Sequence, residues 1–227
     1  MTSTEQLYEV FLQHPEVTTD SRNCPEGSMF FALKGENFDG NLYAMQALEK
    51  GCAMAVVDKA DIVPEGDNRF CLVEDVLTSL QALAAHHRRQ TDIPVVQITG
   101  TNGKTTTKEL LSAVLTMKYN TLFTQGNLNN HIGVPRTLLR LRPEHEMAVI
   151  ETGANHPGEI AFLCRMVQAD CGLITNVGRA HLEGFGSFEG VKHTKGELYD
   201  DLQARGGFTF LNTKDTDLTD MATERNI

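Results

Sequence analysis

The stretch Val95-Val96-Gln97-Ile98-Thr99-Gly100-Thr101-Asn102-Gly103-Lys104-Thr105-Thr106-Thr107-Lys108 decides how the rest of the chain is read. Val95 to Ile98 is a short apolar run, expected to be a buried strand. Thr99 to Gly103 makes a tight loop. From Lys104 the pattern turns helical over 104–117, with Leu110, Leu111, Val114 and Leu115 as its expected apolar stripe. Strand, glycine loop, Lys-Thr and helix is the layout of a phosphate-binding loop. The loop N–H groups and the helix N-terminus face the anion, the lysine neutralises phosphate charge, and the next hydroxyl can ligate Mg²⁺. Gly100, Thr101, Asn102, Gly103, Lys104, Thr105 and Thr106 are therefore the candidate nucleotide-binding set. The general motif places a glycine five residues before Gly103, where this chain has Ile98, so the loop is a compact variant. The alternative is an ordinary glycine turn between strand and helix.

The length of 227 residues allows one or two domains, and 41% hydrophobic residues is enough for sizeable cores. A formal charge of −10 argues against a general nucleic-acid or anionic-membrane binder, so a phosphate ligand must be held by local donors. The five cysteines (24, 52, 71, 164 and 171) form no C-x-x-C pair and read as free thiols in a reducing compartment. The N-terminus has no signal-peptide core, and no apolar run approaches the roughly 20 residues of a membrane span. The expectation is a cytoplasmic protein without membrane insertion.

Residues 4–13 read as a short helix with Leu7, Val10 and Phe11 on one face, and 17–22 as a strand running into a polar turn. Met29 to Leu33 is a buried strand ended by Lys34-Gly35. A helix follows over 41–50, then strands over 53–57 and 70–73, then a helix capped by Asp75 and running to about Arg89. Thr91-Asp92-Ile93-Pro94 breaks the chain and places a domain boundary near residue 90. Beyond it, strands expected at 95–99, 120–124, 147–151, 172–177 and 208–211 alternate with helices at 104–117, 134–141, 157–167 and 188–202. That alternation implies a mainly parallel sheet. The fold class is thus α/β: a small N-terminal α/β domain (1–90) followed by a parallel-sheet P-loop ATPase-like domain (91–227).

Ligands in such sheets bind beyond the carboxyl ends of the strands. Polar residues collect there: Lys104-Thr105 after the first strand, Glu151 after the third, Asn176 and His181 after the fourth. A phosphate-loop enzyme needs an acid at a neighbouring strand end to hold Mg²⁺, which is the role open to Glu151; a solvated strand-end acid is the alternative. His181 is a metal or phosphate candidate, or simply an exposed loop histidine. The loop Thr124 to Pro135 carries Asn127, Asn129 and Asn130, whose amides suit either a substrate cleft or turn chemistry. Lys192 and Lys195 on the 188–202 helix are by default solvated.

At these residues the chain resembles the Mur ligases of peptidoglycan synthesis. The resemblance rests on Thr19-Asp20-Ser21-Arg22, on Phe31 to Gly40 (FALKGENFDG), on Thr99 to Thr105 (TGTNGKT) and on Gly126 to Asn130 (GNLNN). It extends to Glu151 to Ile160 (ETGANHPGEI), His181 to Ser187 (HLEGFGS) and Lys195-Gly196-Glu197. The compact phosphate loop is the family's form, and the asparagine loop with the GANHPGEI and HLEGFGS runs points to the branch that adds D-alanyl-D-alanine to UDP-N-acetylmuramoyl-tripeptide. The resemblance implies that a substrate carboxylate attacks the γ-phosphate of ATP, and that the amine of D-alanyl-D-alanine displaces phosphate from the resulting acyl phosphate. It implies Lys104 on the β/γ-phosphates, Thr105 on one Mg²⁺, and Glu151 and His181 on a second. Lys195 matches a lysine that the family carbamylates to supply a further metal-binding carboxylate. Catalytic candidates are therefore Lys104, Glu151, His181 and Lys195. Ser21, Arg22, Lys34 and Gly35 would hold the UDP end of the substrate, with Asn127, Asn129 and Asn130 as further substrate contacts.

Mur ligases have three domains, so the resemblance also implies a truncated chain, lacking the rest of the central domain and the C-terminal domain that closes over ATP, and a monomer. Two other readings stand beside it. One is a different ligase of the superfamily, MurE-like or folylpolyglutamate-synthase-like, the latter disfavoured by the N-terminal domain. The other is a nucleotide- or UDP-sugar-binding module without catalysis.

Overall fold

The computed structural model describes every residue except Arg179, Ala180 and His181, together with the side chain of Leu182. The expected metal or phosphate role of His181 therefore lies outside the described residues. The chain forms two compact units, Met1–Arg89 and Gln90–Ile227.

The first unit runs α1 (Thr4–Gln13), β1 (Val17–Thr18), β2 (Met29–Phe31), the hairpin β3 (Lys34–Gly35) and β4 (Phe38–Asp39), α2 (Ala44–Glu49), β5 (Met54–Val57), β6 (Phe70–Leu72) and α3 (Val76–Arg89). Ser3 starts α1 with a capping box: its hydroxyl accepts from Gln6 N while the Gln6 side chain accepts from Ser3 N. Strands β1-β2-β5-β6 form a parallel sheet, with Phe30 opposite Ala55. Phe30, Ala32, Ala47, Leu48, Ala55 and Val57 close one core on it. Each large side chain buried there contributes about 1.5–3 kcal/mol. The helix expected over 41–50 is shorter, because Gly40–Tyr43 is a 3₁₀ turn before α2. Gly40 allows that turn: a Cβ there would lie 2.5 Å from the Leu33 carbonyl oxygen.

The second unit runs β7 (Val95–Thr99), α4 (Lys104–Leu115), β8 (Thr121–Phe123), α5 (Gly133–Leu138), β9 (Met147–Glu151), α6 (Glu159–Val167), β10 (Cys171–Ile174), α7 (Leu182–Phe185), α8 (Phe188–Arg205), β11 (Phe208–Thr209) and α9 (Thr216–Thr223). Its described strands form a parallel sheet in the order β11-β10-β7-β9-β8. On one face Val96, Ile98 and Val149 pack with Leu111, Leu115, Phe123 and Leu173. On the other, Leu198 and Leu202 of α8 lie over Gly172.

Helix α4 corrects the expected stripe. Leu111 and Leu115 face the sheet, but Leu110 and Val114 are 66% and 69% exposed. The inward face is 108, 111, 112 and 115, at the i, i+3, i+4, i+7 spacing of a helix, and two of its members are the buried Lys108 and Ser112. Adjacent residues point about 100° apart, so the 110/114 pair cannot share the face of 111/115.

Candidate nucleotide site

The site lies at the carboxyl ends of β7, β9 and β10. Strand β7 ends in Thr99, and the chain turns through two glycines into α4. Gly100 has φ of +142°, and a Cβ on it would meet the Thr175 hydroxyl, so only glycine fits. Gly103 has φ of +77° and occupies the left-handed position just before α4.

The loop is clasped from β10. Thr175 Oγ1 donates to the Asn102 carbonyl (2.6 Å), and Asn176 Nδ2 donates to the same oxygen (3.0 Å). Asn102 N donates to Asn176 Oδ1 (3.0 Å), and Gly178 N donates to Thr101 Oγ1 (2.9 Å). No side chain among the described residues caps α4, so its first-turn N–H groups, with the positive end of the helix dipole, make an anion site. Lys104 Nζ folds back onto the Thr101 carbonyl at 3.0 Å. Burial lowers the Lys104 pKa, while nearby Glu151 opposes the shift.

Glu151 is fully buried at the end of β9. Its Oε1 accepts from Asn129 Nδ2 (2.7 Å) and from Thr105 Oγ1 (3.2 Å). Its Oε2 is buried with no hydrogen-bond partner among the described residues. A buried carboxylate oxygen without a donor, beside a threonine hydroxyl at a phosphate-type loop, is the chemistry a hard divalent cation satisfies. Thr105 and Glu151, expected from the resemblance on two different ions, thus lie together and fit one Mg²⁺, although among the described residues no cluster of three or more His, Cys, Asp or Glu gathers to hold a metal.

Lys195 departs from the solvated default. It is 3% exposed on α8, with Nζ 3.5 Å from the Ala154 carbonyl oxygen and 5.4 Å from the Phe185 ring centroid. Burial first and the Lys104 charge second lower its pKa to about 8, against the pull of Glu159 and Glu197. Lys192 is the ordinary case: partly exposed and paired with Asp217 at 2.6 Å.

The asparagines divide. Asn129 holds Glu151, and its carbonyl accepts from Gly153 N (2.7 Å). Asn130 Oδ1 accepts from Ile132 N and Gly133 N at the start of α5, the turn chemistry of its residue type. Asn127 is exposed in the loop. In the first unit, Arg22 is exposed and forms a bidentate pair with Asp20, which holds the Asp20 carboxyl down at about 2. Ser21 is buried, with its carbonyl accepting from Lys50 Nζ (2.9 Å). Lys34 pairs at 2.8 Å with Asp58, whose side chain is 3% exposed, and Gly35 is exposed in the β3–β4 hairpin.

Sequence reasoning did not find a cavity of about 400 Å³ beside the loop, lined by Thr107, Leu173, Ile174, Thr175, Phe210 and Asn212. Its sequence signals are Thr175 at the end of one apolar strand and Leu211-Asn212 after another. Neither did it find the Asn129–Glu151 bond or the burial of Lys108, because both depend on contacts across the sheet.

Comparison with known proteins gives a consistent pattern. The Mur ligase middle domain matches residues 98–227, and the Mur ligase family catalytic domain matches residues 15–88. The UDP-N-acetylmuramoyl-tripeptide--D-alanyl-D-alanine ligase of Escherichia coli is 45% identical over 202 residues, which are 88% of this chain and 44% of that protein. The Bacillus subtilis ligase of the same name is 40% identical over 86% of this chain and 43% of its own length. The solved structure of MurF from Acinetobacter baumannii superposes with a TM-score of 0.86 at 35% identity, over 99% of this chain and 51% of that one. MurF ligase from Thermotoga maritima, solved in complex with ADP, gives 0.74 at 34% identity over 84% of this chain and 44% of that one. The chain therefore spans about half the length of the relatives it matches.

Proposed function

The chain belongs to the Mur ligase family, and from that premise we propose that its second unit is the nucleotide-binding part of an ATP-dependent amide ligase. The whole protein would join D-alanyl-D-alanine to UDP-N-acetylmuramoyl-tripeptide through an acyl phosphate. One observation carries the reading. Thr105 of the phosphate-type loop and Glu151 of the adjacent strand meet at 3.2 Å, with the second Glu151 oxygen buried and unpartnered. The relatives' names, and the ADP bound in one solved neighbour, support the substrate classes.

The roles follow from charge and position. First-turn N–H groups of α4 hold phosphate oxygens. Lys104 leaves the Thr101 carbonyl to meet the β/γ-phosphates, where a positioned cation offsets developing charge. Mg²⁺ held by Thr105 and Glu151 supplies further charge neutralisation. The cavity beside α4 suits the base and ribose, with Asn212 as a polar anchor and Leu173 and Phe210 as apolar walls. Lys195, buried beside Lys104 and with its pKa lowered, is set to be carbamylated at a second metal position that His181 would share. The first unit would take the UDP end through Ser21, Arg22, Lys34 and Gly35.

The test is calorimetric titration of the 227-residue chain with ATP and ADP in Mg²⁺. Lys104→Ala should weaken binding at least about tenfold, the scale of one lost hydrogen bond between charged groups, about 1.5–3 kcal/mol. Unchanged affinity in that variant would remove the nucleotide reading.

A further inference from the structure

Lys108 sits one turn after Lys104 on the inward face of α4, with its side chain wholly buried. A buried ammonium is costly unless it is fully hydrogen-bonded, and an apolar side chain of the same shape is often as stable or more so. What Lys108 touches is therefore informative. Its Nζ donates to the Thr124 carbonyl at 2.7 Å and to Glu109 Oε1 at 2.5 Å, and lies 5.8 Å from the Phe123 ring centroid. Thr124 is itself fully buried, and it is where β8 ends and the asparagine loop begins. Its hydroxyl accepts from Glu151 N at 3.0 Å. Five residues later, Asn129 donates to the Glu151 carboxylate.

We propose that Lys108 is a positioning residue for the metal-binding carboxylate. It ties the phosphate-loop helix to Thr124, and Thr124 and the loop it opens fix both the backbone and the side chain of Glu151. The proposal rests on the nucleotide reading above and adds a residue to it. A donor is needed because the two things held, a carbonyl oxygen and the Glu109 carboxylate, are acceptors that no apolar side chain can bind, and the carboxylate favours a charged one. The same residue also explains the helix face: a lysine stem takes a core position that the pattern would give to leucine, with its methylenes packed and its charge spent on the tie.

The experiment compares the wild-type chain with Lys108→Met, Lys108→Arg, Thr124→Val and Lys104→Ala. ADP and ATP affinities are measured with and without Mg²⁺, and thermal midpoints are recorded. Methionine keeps the volume and loses the tie. The expected result for Lys108→Met is an unchanged or raised midpoint and near-normal Mg²⁺-free binding. The gain in affinity that Mg²⁺ brings should fall about tenfold, the size of one lost hydrogen bond from a charged group. Thr124→Val should show the same selective loss, and Lys108→Arg should recover part of it. Three results overturn the proposal: a Lys108→Met chain with the full Mg²⁺ gain, one that loses Mg²⁺-free binding and stability together, or one that does not fold. Lys104→Ala reports separately on the nucleotide reading, because wild-type binding in that variant would remove the site itself.

Discussion

At the scale of single residues, burial separates lysines that look alike in sequence. Lys192 and Lys195 are three positions apart on α8. One pairs with Asp217, and the other is enclosed near Lys104 with its pKa at about 8. Lowering a lysine from its ordinary value of 10.5 to about 8 raises the neutral fraction at pH 7 roughly 300-fold. Only the neutral amine attacks carbon dioxide. The sign is therefore that carbamate at Lys195 grows as pH rises from about 7 through 8, while Lys192, whose pKa is raised by Asp217, stays an ammonium. Carbon-13 NMR of the chain in labelled bicarbonate should show a carbamate resonance that Lys195→Ala abolishes and Lys192→Ala leaves in place. A carbamate spectrum that is the same in Lys195→Ala as in the unsubstituted chain, or none at any pH with Mg²⁺ present, would make Lys195 a buried lysine and nothing more.

At the scale of elements, the loops of the site are held by side chains arriving from elsewhere in the fold. The N-cap of helix α6 is Gly158, which has no side chain to cap it. Glu197 of α8 does so instead, accepting from Gly158 N and Ala161 N, both at 2.8 Å. Glu197→Ala should therefore cost about 1–2 kcal/mol, as the loss of a helix cap does, read as a lower chemical-denaturation midpoint at unchanged slope. Glu197→Gln, which keeps one acceptor oxygen, should cost less, and equal midpoints for all three chains would show that the cap carries no stability. Such long-range ties mark the limit of what the sequence discloses. Strands 95–99 and 147–151 were legible because an apolar run ending in a polar residue has few other readings, and Lys104, Thr105 and Glu151 follow from those strand ends. The clasp by Thr175 and Asn176, the Asn129–Glu151 bond and the Lys108 tie join positions 16 to 74 residues apart, and no local pattern encodes them. The apolar stripe of α4 departs from its sequence pattern for a related reason. Hydrophobicity places leucines inward, whereas this helix gives a core position to a lysine whose partner, Thr124, lies just past the end of β8. The β3–β4 hairpin and α9 are too short or too polar for periodicity to reveal.

At the scale of the whole molecule, a chain of net charge −10 is read as binding polyanions at two places, so attraction must come from a few local donors rather than from its overall field. The two units have separate cores, and the reading gives them separate ligands. A ligand bound only to folded protein stabilises what it binds by RT ln(1 + [L]/Kd), about 2.7 kcal/mol at a hundredfold excess over Kd. For a unit of this size, that is a shift of about 10 °C in midpoint. MgADP should therefore stabilise the second unit, with hydrogen exchange slowed at 99–106 and at the end of β9. UDP should instead slow exchange around Ser21, Arg22, Lys34 and Gly35 in the first. Hydrogen exchange of the intact 227-residue chain with each ligand in turn separates the two. If MgADP protected the first unit's loops, or UDP protected the phosphate-type loop, the assignment of ligands to units would be reversed. Protection of 99–106 by MgADP that persists in Lys104→Ala would show that the slowed exchange comes from general stabilisation and not from phosphate held at the α4 N-terminus.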